Sequence, residues 1–295
     1  MKKTRRSIKK YNNKQKKHKF FFVFFLAISF FLFFYLISLD PKQSVFPAPP
    51  SDQPSPKKYL KMRKDTSSVS LPLPEVIEHG SRDKKRIALT FDADMTYGML
   101  DMLKDGRVKS WYNKSLKDYL KKENIKATIF MTGLWVQRYS KEAREIASDP
   151  LFEIGNHSYS HPAFASHCFG LPLIDRDQVE NEVDKAQKEI LSVTGVFPLY
   201  FRFPGGCYEQ IDVDSISKLG LKIVHWDVVG GDAFNNNPDD IARNIESNVK
   251  NGSIVILHFN DGLYAPETYE ALKLAIPILR QRGFEFVKVS ELLVK

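Results

Sequence analysis

Four short stretches of this sequence carry side chains that can bind a cation and move protons. Asp92 and Asp94 follow the apolar run Ile87 to Phe91, so one carboxylate can serve a metal while the other takes up a proton. His157 and His161 stand four residues apart in Asn156-His157-Ser158-Tyr159-Ser160-His161-Pro162. One helical turn would bring both imidazoles to the same side, and with a carboxylate and an open position they form a usual catalytic donor set for zinc. Arg202 and His258 each lie at the end of a further apolar run and offer a fixed positive charge and a titratable proton. Metal-assisted hydrolysis is the chemistry these residue types support together.

Each stretch alone has a plainer reading. An Asp after a strand commonly caps the next helix, and an isolated His pair is commonly packed or solvated. Their conjunction carries more weight, because all of them follow candidate strands.

Those strands are Ile87 to Asp92, Ala127 to Thr132, Phe152 to Asn156, Leu199 to Phe203, Ile223 to Asp227, Ile254 to His258 and Phe284 to Val289. Amphipathic segments separate them. In the clearest, Asp177 to Thr194, Val179, Val183, Ala186, Ile190 and Val193 form one stripe and Gly195 stands ready to end it. A second helix is expected over Thr268 to Arg282, ending at Gly283. Alternating strands and helices imply an α/β fold with a parallel sheet. Seven such units favour a distorted (β/α) barrel over an open doubly wound sheet, with the chemistry at the C-terminal ends of the strands.

Residues 1–19 carry ten basic side chains and no acidic one, and residues 20–39 are uncharged and include nine Phe. Twenty residues span roughly 30 Å as a helix, enough for one membrane crossing. No small-residue cleavage site follows, so an uncleaved anchor is expected, with the N-terminus cytoplasmic and the remainder outside at the cell membrane. Residues 40–83 contain eight of the sixteen prolines and read as an extended linker, which leaves 84–295 as the folded domain.

The formal charge of +9 is a property of the flank: without its ten basic residues, 34 basic side chains face 35 acidic ones. No nucleic-acid partner is therefore expected. Cys168 and Cys207 lie in a domain expected to be exposed to oxidising conditions, where they could pair. Neither has a CxxC partner, which excludes a cysteine zinc site. No G-x-S-x-G elbow is present, so a serine esterase is disfavoured. A glycosidase would leave the His pair idle.

From about Lys84 to Lys295 the motifs resemble the polysaccharide deacetylase family, the NodB homology domain of carbohydrate esterase family four. Thr90-Phe91-Asp92 matches the family's TFDD, whose first Asp is the general base. The second Asp, a metal ligand, falls on Ala93, and Asp94 is the nearby carboxylate that can take its place by a one-residue shift. His157 and His161 match the two histidine ligands. Arg202-Phe203-Pro204-Gly205-Gly206 resembles RPPYG, implying that Arg202 orients the base and that Gly205 supplies a backbone N–H to the oxyanion. Trp226-Asp227 and Asp232 resemble the fourth motif, with Ala233 where a Trp is usual, and imply that Asp232 supports the acid. Ile254 to His258 resembles the fifth, with His258 as general acid and Ile256 and Trp226 lining the acetyl pocket.

The resemblance implies a divalent metal, with zinc first and cobalt or nickel also fitting the donors. It also implies an acetylated polysaccharide substrate, and membrane anchoring favours a cell-envelope polymer such as peptidoglycan or a chitin-like glycan. A non-catalytic, membrane-anchored glycan-binding or interaction module on the same barrel is the alternative, motivated by Ala93, Gly205 and Ala233. Tyr97, Trp111 and Tyr112 offer rings for sugar stacking or for ordinary core packing.

Overall fold

The structure, a computed structural model, describes residues 75–294, and each of the seven apolar runs read from the sequence overlaps one of its strands, the last only over Glu285–Phe286 because Val289 opens a helix. Nine strands share one sheet with parallel ladders: β1 (Val76–Ile77), β2 (Arg86–Ala93), β3 (Ala127–Met131), β4 (Phe152–Asn156), β5 (Tyr200–Phe201), β6 (Lys222–Val224), β7 (Val228–Val229), β8 (Ile254–His258) and β9 (Glu285–Phe286). Their spatial order is β1-β6-β5-β4-β3-β2-β8-β7, with β9 on the first residues of β2.

Helices fill the crossovers. α1 (Tyr97–Lys104) and α2 (Lys114–Lys122) precede β3, and α3 (Gly133–Arg138) and α4 (Ser140–Ala147) precede β4. α5 (Val179–Thr194) and α6 (Gln210–Lys218) flank β5, α7 (Pro238–Asn248) precedes β8, α8 (Thr268–Gln281) precedes β9, and α9 (Val289–Leu292) follows it.

The two-residue period of β2 sorts its side chains between two environments. Ile87, Leu89, Phe91 and Ala93 join Leu116, Leu120, Ala275 and Leu279 in the main core beneath the helices. Ala88 lies on the other face with Phe130, Val224 and Ile254 inside the curl of the sheet, and Thr90 and Asp92 continue that inner row. Burying each large apolar side chain is worth roughly 1.5–3 kcal/mol, so the outer row fixes which residues of β2 point inward.

The expected barrel is a curled sheet whose continuous ladder stops at β1 and β7. Between β6 and β8 a side chain stands in for ladder bonds: Asp227 accepts from the Ile254 N–H at 2.8 Å, from Ser253 Oγ at 3.0 Å and from Arg82 at 2.7 Å. The residues after β1 complete the turn, with an isolated bridge between His79 and Ser253 and a Gly80 N–H bond to the Gly252 carbonyl at 2.8 Å.

Folded structure therefore begins by Glu75 and not at Lys84, because β1 pairs with β6. Several strands are shorter than expected, with β5 limited to Tyr200–Phe201 and β6 to Lys222–Val224, although the Arg202 N–H still donates to the Asn156 carbonyl at 3.0 Å. The α5 stripe is buried as read, and Gly195 ends the helix at φ 74°, where a side chain would be strained. The expected membrane segment, its basic flank and most of the linker lie outside the described residues. Among the described residues no helix is long and apolar enough to cross a membrane.

Candidate active site

Asp92 reaches the site from the inner row of β2, and Arg202 meets it from the segment after β5. Arg202 is fully buried and spends its donors on four acceptors: Asp92 Oδ1 at 2.9 Å, Thr90 Oγ1 at 2.8 Å, the His225 carbonyl at 3.2 Å and the Val224 carbonyl at 3.3 Å. Phe130 and Trp226 lie against its guanidinium, 4.1 and 5.4 Å from ring centre to Cζ. A charge placed there without these partners would be prohibitively costly. Thr90 in turn donates to the Val255 carbonyl at 2.6 Å. His225 stacks on Trp226 with ring centres 3.8 Å apart, and burial together with Arg202 pushes its pKa down to about 4.

The histidine pair does not sit on a helix. Residues 157–161 form a loop after β4 in which Ser158 (φ 67°) and His161 (φ 62°) adopt left-handed backbone, and the two rings meet with centres 5.0 Å apart. Glu182 of α5 holds the loop by accepting from the Tyr159 N–H at 3.1 Å and the Ser160 hydroxyl at 2.8 Å. His157 Nδ1 must donate to the Arg202 carbonyl, 2.9 Å away, because a carbonyl only accepts, and this leaves Nε2 facing the carboxylates.

Asp94, His157 and His161 each offer a ligand atom, all within 4.8 Å of one another. Asp94 Oδ1 lies 3.3 Å from both His157 Nε2 and His161 Nε2, and Asp92 Oδ2 lies 3.4 Å from His157 Nε2. Yet Asp94 Oδ1 and His157 Nε2 are buried with no hydrogen-bond partner, which is the signature of atoms that need a cation between them. Two imidazoles and a carboxylate fit a first-row divalent ion. Burial opposes charge on His157, but Asp92 and Asp94 outweigh it and hold the imidazole above its usual pKa. Burial likewise pushes Asp94 up, and His161 and His157 outweigh it, so its carboxyl lies well below the ordinary range.

Asp94 also has its peptide fixed. The Asn260 side chain accepts from the Asp94 N–H and donates to the Asp94 carbonyl, both at 2.9 Å.

His258 ends β8 on the same side of the sheet. Its Nδ1–H donates to Asp232 Oδ1 at 2.9 Å, while Asp232 Oδ2 accepts from the His258 N–H at 2.8 Å and from Thr268 Oγ1 at 2.6 Å. Burial disfavours charge on this imidazole, but Asp232 and the site carboxylates outweigh it and push its pKa up to about 9. His258 Nε2 is 3.9 Å from Asp94 Oδ2.

A cavity of about 470 Å³ opens over these groups, lined by Trp226, Ile256, Gly205, Phe169, Phe234 and Tyr264 among others. Phe169 and Phe234 are exposed at its mouth with ring centres 5.3 Å apart. Cys168 and Cys207 form a disulfide that ties the loop carrying Phe169 to the loop carrying Gly205. Gly205 has φ +61°, and a Cβ there would lie 2.7 Å from the Cys168 sulfur, so glycine is required. Tyr112 packs against Trp135 and Phe259 in the core, whereas Tyr97 is exposed. The ten residues with an expected catalytic, metal-binding or substrate-lining role, Asp92, Asp94, His157, His161, Arg202, Gly205, Trp226, Asp232, Ile256 and His258, therefore lie in or against one site. Sequence reasoning missed Glu182, Asn260, Tyr264 and Thr268, because single neutral or surface-type residues carry no motif, and it gave Thr90 no role although the residue lies within a matched one.

A polysaccharide deacetylase family model matches residues 79–224. A peptidoglycan-N-acetylglucosamine deacetylase of Bacillus cereus is 30% identical over 213 residues, which are 72% of this chain and 89% of that protein. Among solved structures, the Bc1960 peptidoglycan N-acetylglucosamine deacetylase is similar with a TM-score of 0.63 and 26% identity, over 74% of this chain and 92% of that one. A carbohydrate esterase family 4 pseudoenzyme from Bacillus anthracis is similar with a TM-score of 0.61 and 26% identity, over 75% of this chain and 69% of that one. The chain spans 61% of the length of one curated relative, an uncharacterized protein of Bacillus subtilis, and 47% of another, a peptidoglycan deacetylase of Listeria monocytogenes. A parallel α/β fold with these motifs on one rim, and a deacetylase relative 30% identical over 89% of its own length, lead to one assignment: the chain belongs to the polysaccharide deacetylase family.

Proposed function

We propose that this protein removes acetyl groups from an N-acetylated cell-envelope glycan, with peptidoglycan first, in a metal-dependent hydrolysis. The observation that carries the reading is the grouping of Asp94, His157 and His161 beside Asp92, with His258 across the same cavity.

A divalent cation held by Asp94, His157 and His161, zinc by preference and cobalt or nickel as alternatives, would supply Lewis acidity to the amide carbonyl and to water. Asp92 acts as the base. Arg202, itself held by Thr90, fixes the carboxylate through Oδ1, so that Oδ2 faces the site and can take a proton from water. The Gly205 N–H serves the developing oxyanion, a contribution of a few kcal/mol for a preorganised donor. His258, protonated on Nε2 and held through Nδ1 by Asp232, delivers a proton to the departing sugar amine. Trp226 and Ile256 close round the acetyl methyl.

Residues 20–39 are proposed to anchor the chain in the cell membrane with a cytoplasmic N-terminus, which would set the site against the envelope polymer. Likeness to a pseudoenzyme, together with Ala93, Gly205 and Ala233, favours a second reading in which the domain binds glycan without hydrolysing it.

Acetate release from peptidoglycan, chitin oligomers and acetylated xylan, with and without chelator, tests both. Chelator-sensitive release from an N-acetylated glycan supports hydrolysis. Binding to these glycans without release from any would establish the second reading.

A further inference from the structure

We infer that Asn260 is a positioning residue that makes Asp94 a metal ligand in this chain. The inference rests on the reading above that Asp94, His157 and His161 hold a cation.

Asp94 stands one residue beyond the end of β2. The ladder with β3 ends at Ala93 paired with Met131, and the ladder with β8 ends at Asp92 paired with His258. Past that point no strand neighbour fixes the backbone, and a side chain on unanchored backbone has no defined direction. The preceding peptides are still held, since the Asp92 carbonyl accepts from the Phe259 N–H at 2.7 Å and the Ala93 carbonyl from the Thr132 N–H at 3.2 Å. Asp94 itself is held by Asn260.

The carboxamide of Asn260 engages both peptide groups of Asp94, with its oxygen on the N–H and its nitrogen on the carbonyl, each at 2.9 Å. It thereby replaces the paired bonds a neighbouring strand would have made. Few side chains can do this. One acceptor and one donor are needed on a single planar group at this reach; a carboxylate would face the Asp94 carbonyl with no proton, and a glutamine is one methylene longer. Asn260 is fully buried, and Asn113 Nδ2 donates to its carbonyl at 3.3 Å, so the clasp is itself fixed.

An ordinary buried asparagine would show the same two bonds. Its partner's state makes the difference: Asp94 Oδ1 points at His157 Nε2 from 3.3 Å, and neither atom has a hydrogen-bond partner. The Asn260 clasp fixes the stretch of backbone from which this carboxylate projects toward the two imidazoles. Supporting contacts of this kind commonly change metal affinity by about 10- to 100-fold.

The test uses the full-length chain and four proteins: wild type, Asn260→Ala, Asn260→Ser and Asp94→Asn. Zinc dissociation constants are measured by chelator competition, and ligand geometry by visible absorption of the cobalt-substituted protein. Thermal unfolding in chelator checks that the metal-free variants are folded. Asn260→Ser retains a single hydrogen-bonding group and decides the matter if Asn260→Ala does not fold. We expect zinc binding weakened about 10- to 100-fold in folded Asn260 variants, with a displaced cobalt band, and a larger loss in Asp94→Asn. Wild-type affinity and spectrum in the Asn260 variants, with zinc lost in Asp94→Asn, would overturn the clasp and leave the metal site standing. Wild-type affinity in Asp94→Asn would instead overturn the metal site on which the inference depends.

Discussion

Asp92 and Arg202 meet at 2.9 Å where both side chains are buried, so each charge is balanced by the other and not by water. The pair has a catalytic and a structural consequence, which different substitutions separate.

Asp92→Asn keeps an acceptor for Arg202 in nearly the same volume. Metal content should match wild type, while kcat for acetate release falls by a factor of about 10²–10⁴, the usual range for losing a general base. Arg202→Leu leaves a buried carboxylate unpaired and should lower stability in denaturant titrations by roughly 3–5 kcal/mol. Wild-type turnover in Asp92→Asn would remove Asp92 from the mechanism.

Restoring the family's sequence at position 93 should do harm. Ala93 is fully buried on the outer face of β2 among the core residues, whereas Asp92 and Asp94 line the cavity. Ala93→Asp would bury a carboxylate without a partner, at a cost of several kcal/mol, and should not return zinc to an Asp94→Ala protein. Recovery of metal binding in that double variant, read by elemental analysis, would show that the loop can shift back.

The pH response of His258 follows from Asp232. Its pKa of about 9 lies above the ordinary 6.5, so its contribution to stability is fully present below pH 6.5 and is lost as pH rises through about 9. In Asp232→Asn the imidazole should titrate closer to 6.5, seen by NMR of the metal-free protein, and the alkaline fall of kcat should move to lower pH. An unmoved titration would mean that Asp232 does not govern the proton.

Replacing Cys168 and Cys207 with Ser frees a loop that spans 39 residues, worth about 4 kcal/mol on a chain-entropy account. KM should rise, because Phe169 and Gly205 lose their tie at the cavity mouth, while zinc content stays constant, because Glu182 holds the histidine loop separately. The melting temperature, KM and metal content read these three effects independently.

What could be read from the sequence follows from how far each signal reaches along the chain. β2, β3, β4 and β8 are five residues or longer and mostly buried, and they show themselves through composition. β1 and β7 are two residues each, too short to display a period, and exist because neighbouring strands offer them bonds. The spacing of His157 and His161 pointed to one cation but to the wrong backbone: the pair meets through left-handed residues of a loop that Glu182 braces from α5. Asp94 could be reached by matching motifs. Asn260 could not, since it contacts Asp94 from 166 residues away and is chemically unremarked until the two backbones are side by side.

The two residues of β1 have a practical bearing on any secreted fragment made for assay or crystallisation. They cover Ile223 and Val224 of β6, and Gly80 just beyond them covers Gly252. A protein begun at Lys84 would present these amide and carbonyl groups bare along the rim of the sheet, an invitation to self-association and precipitation. Cloning boundaries set upstream of Glu75 should yield a monodisperse product where the shorter one elutes as aggregate in gel filtration.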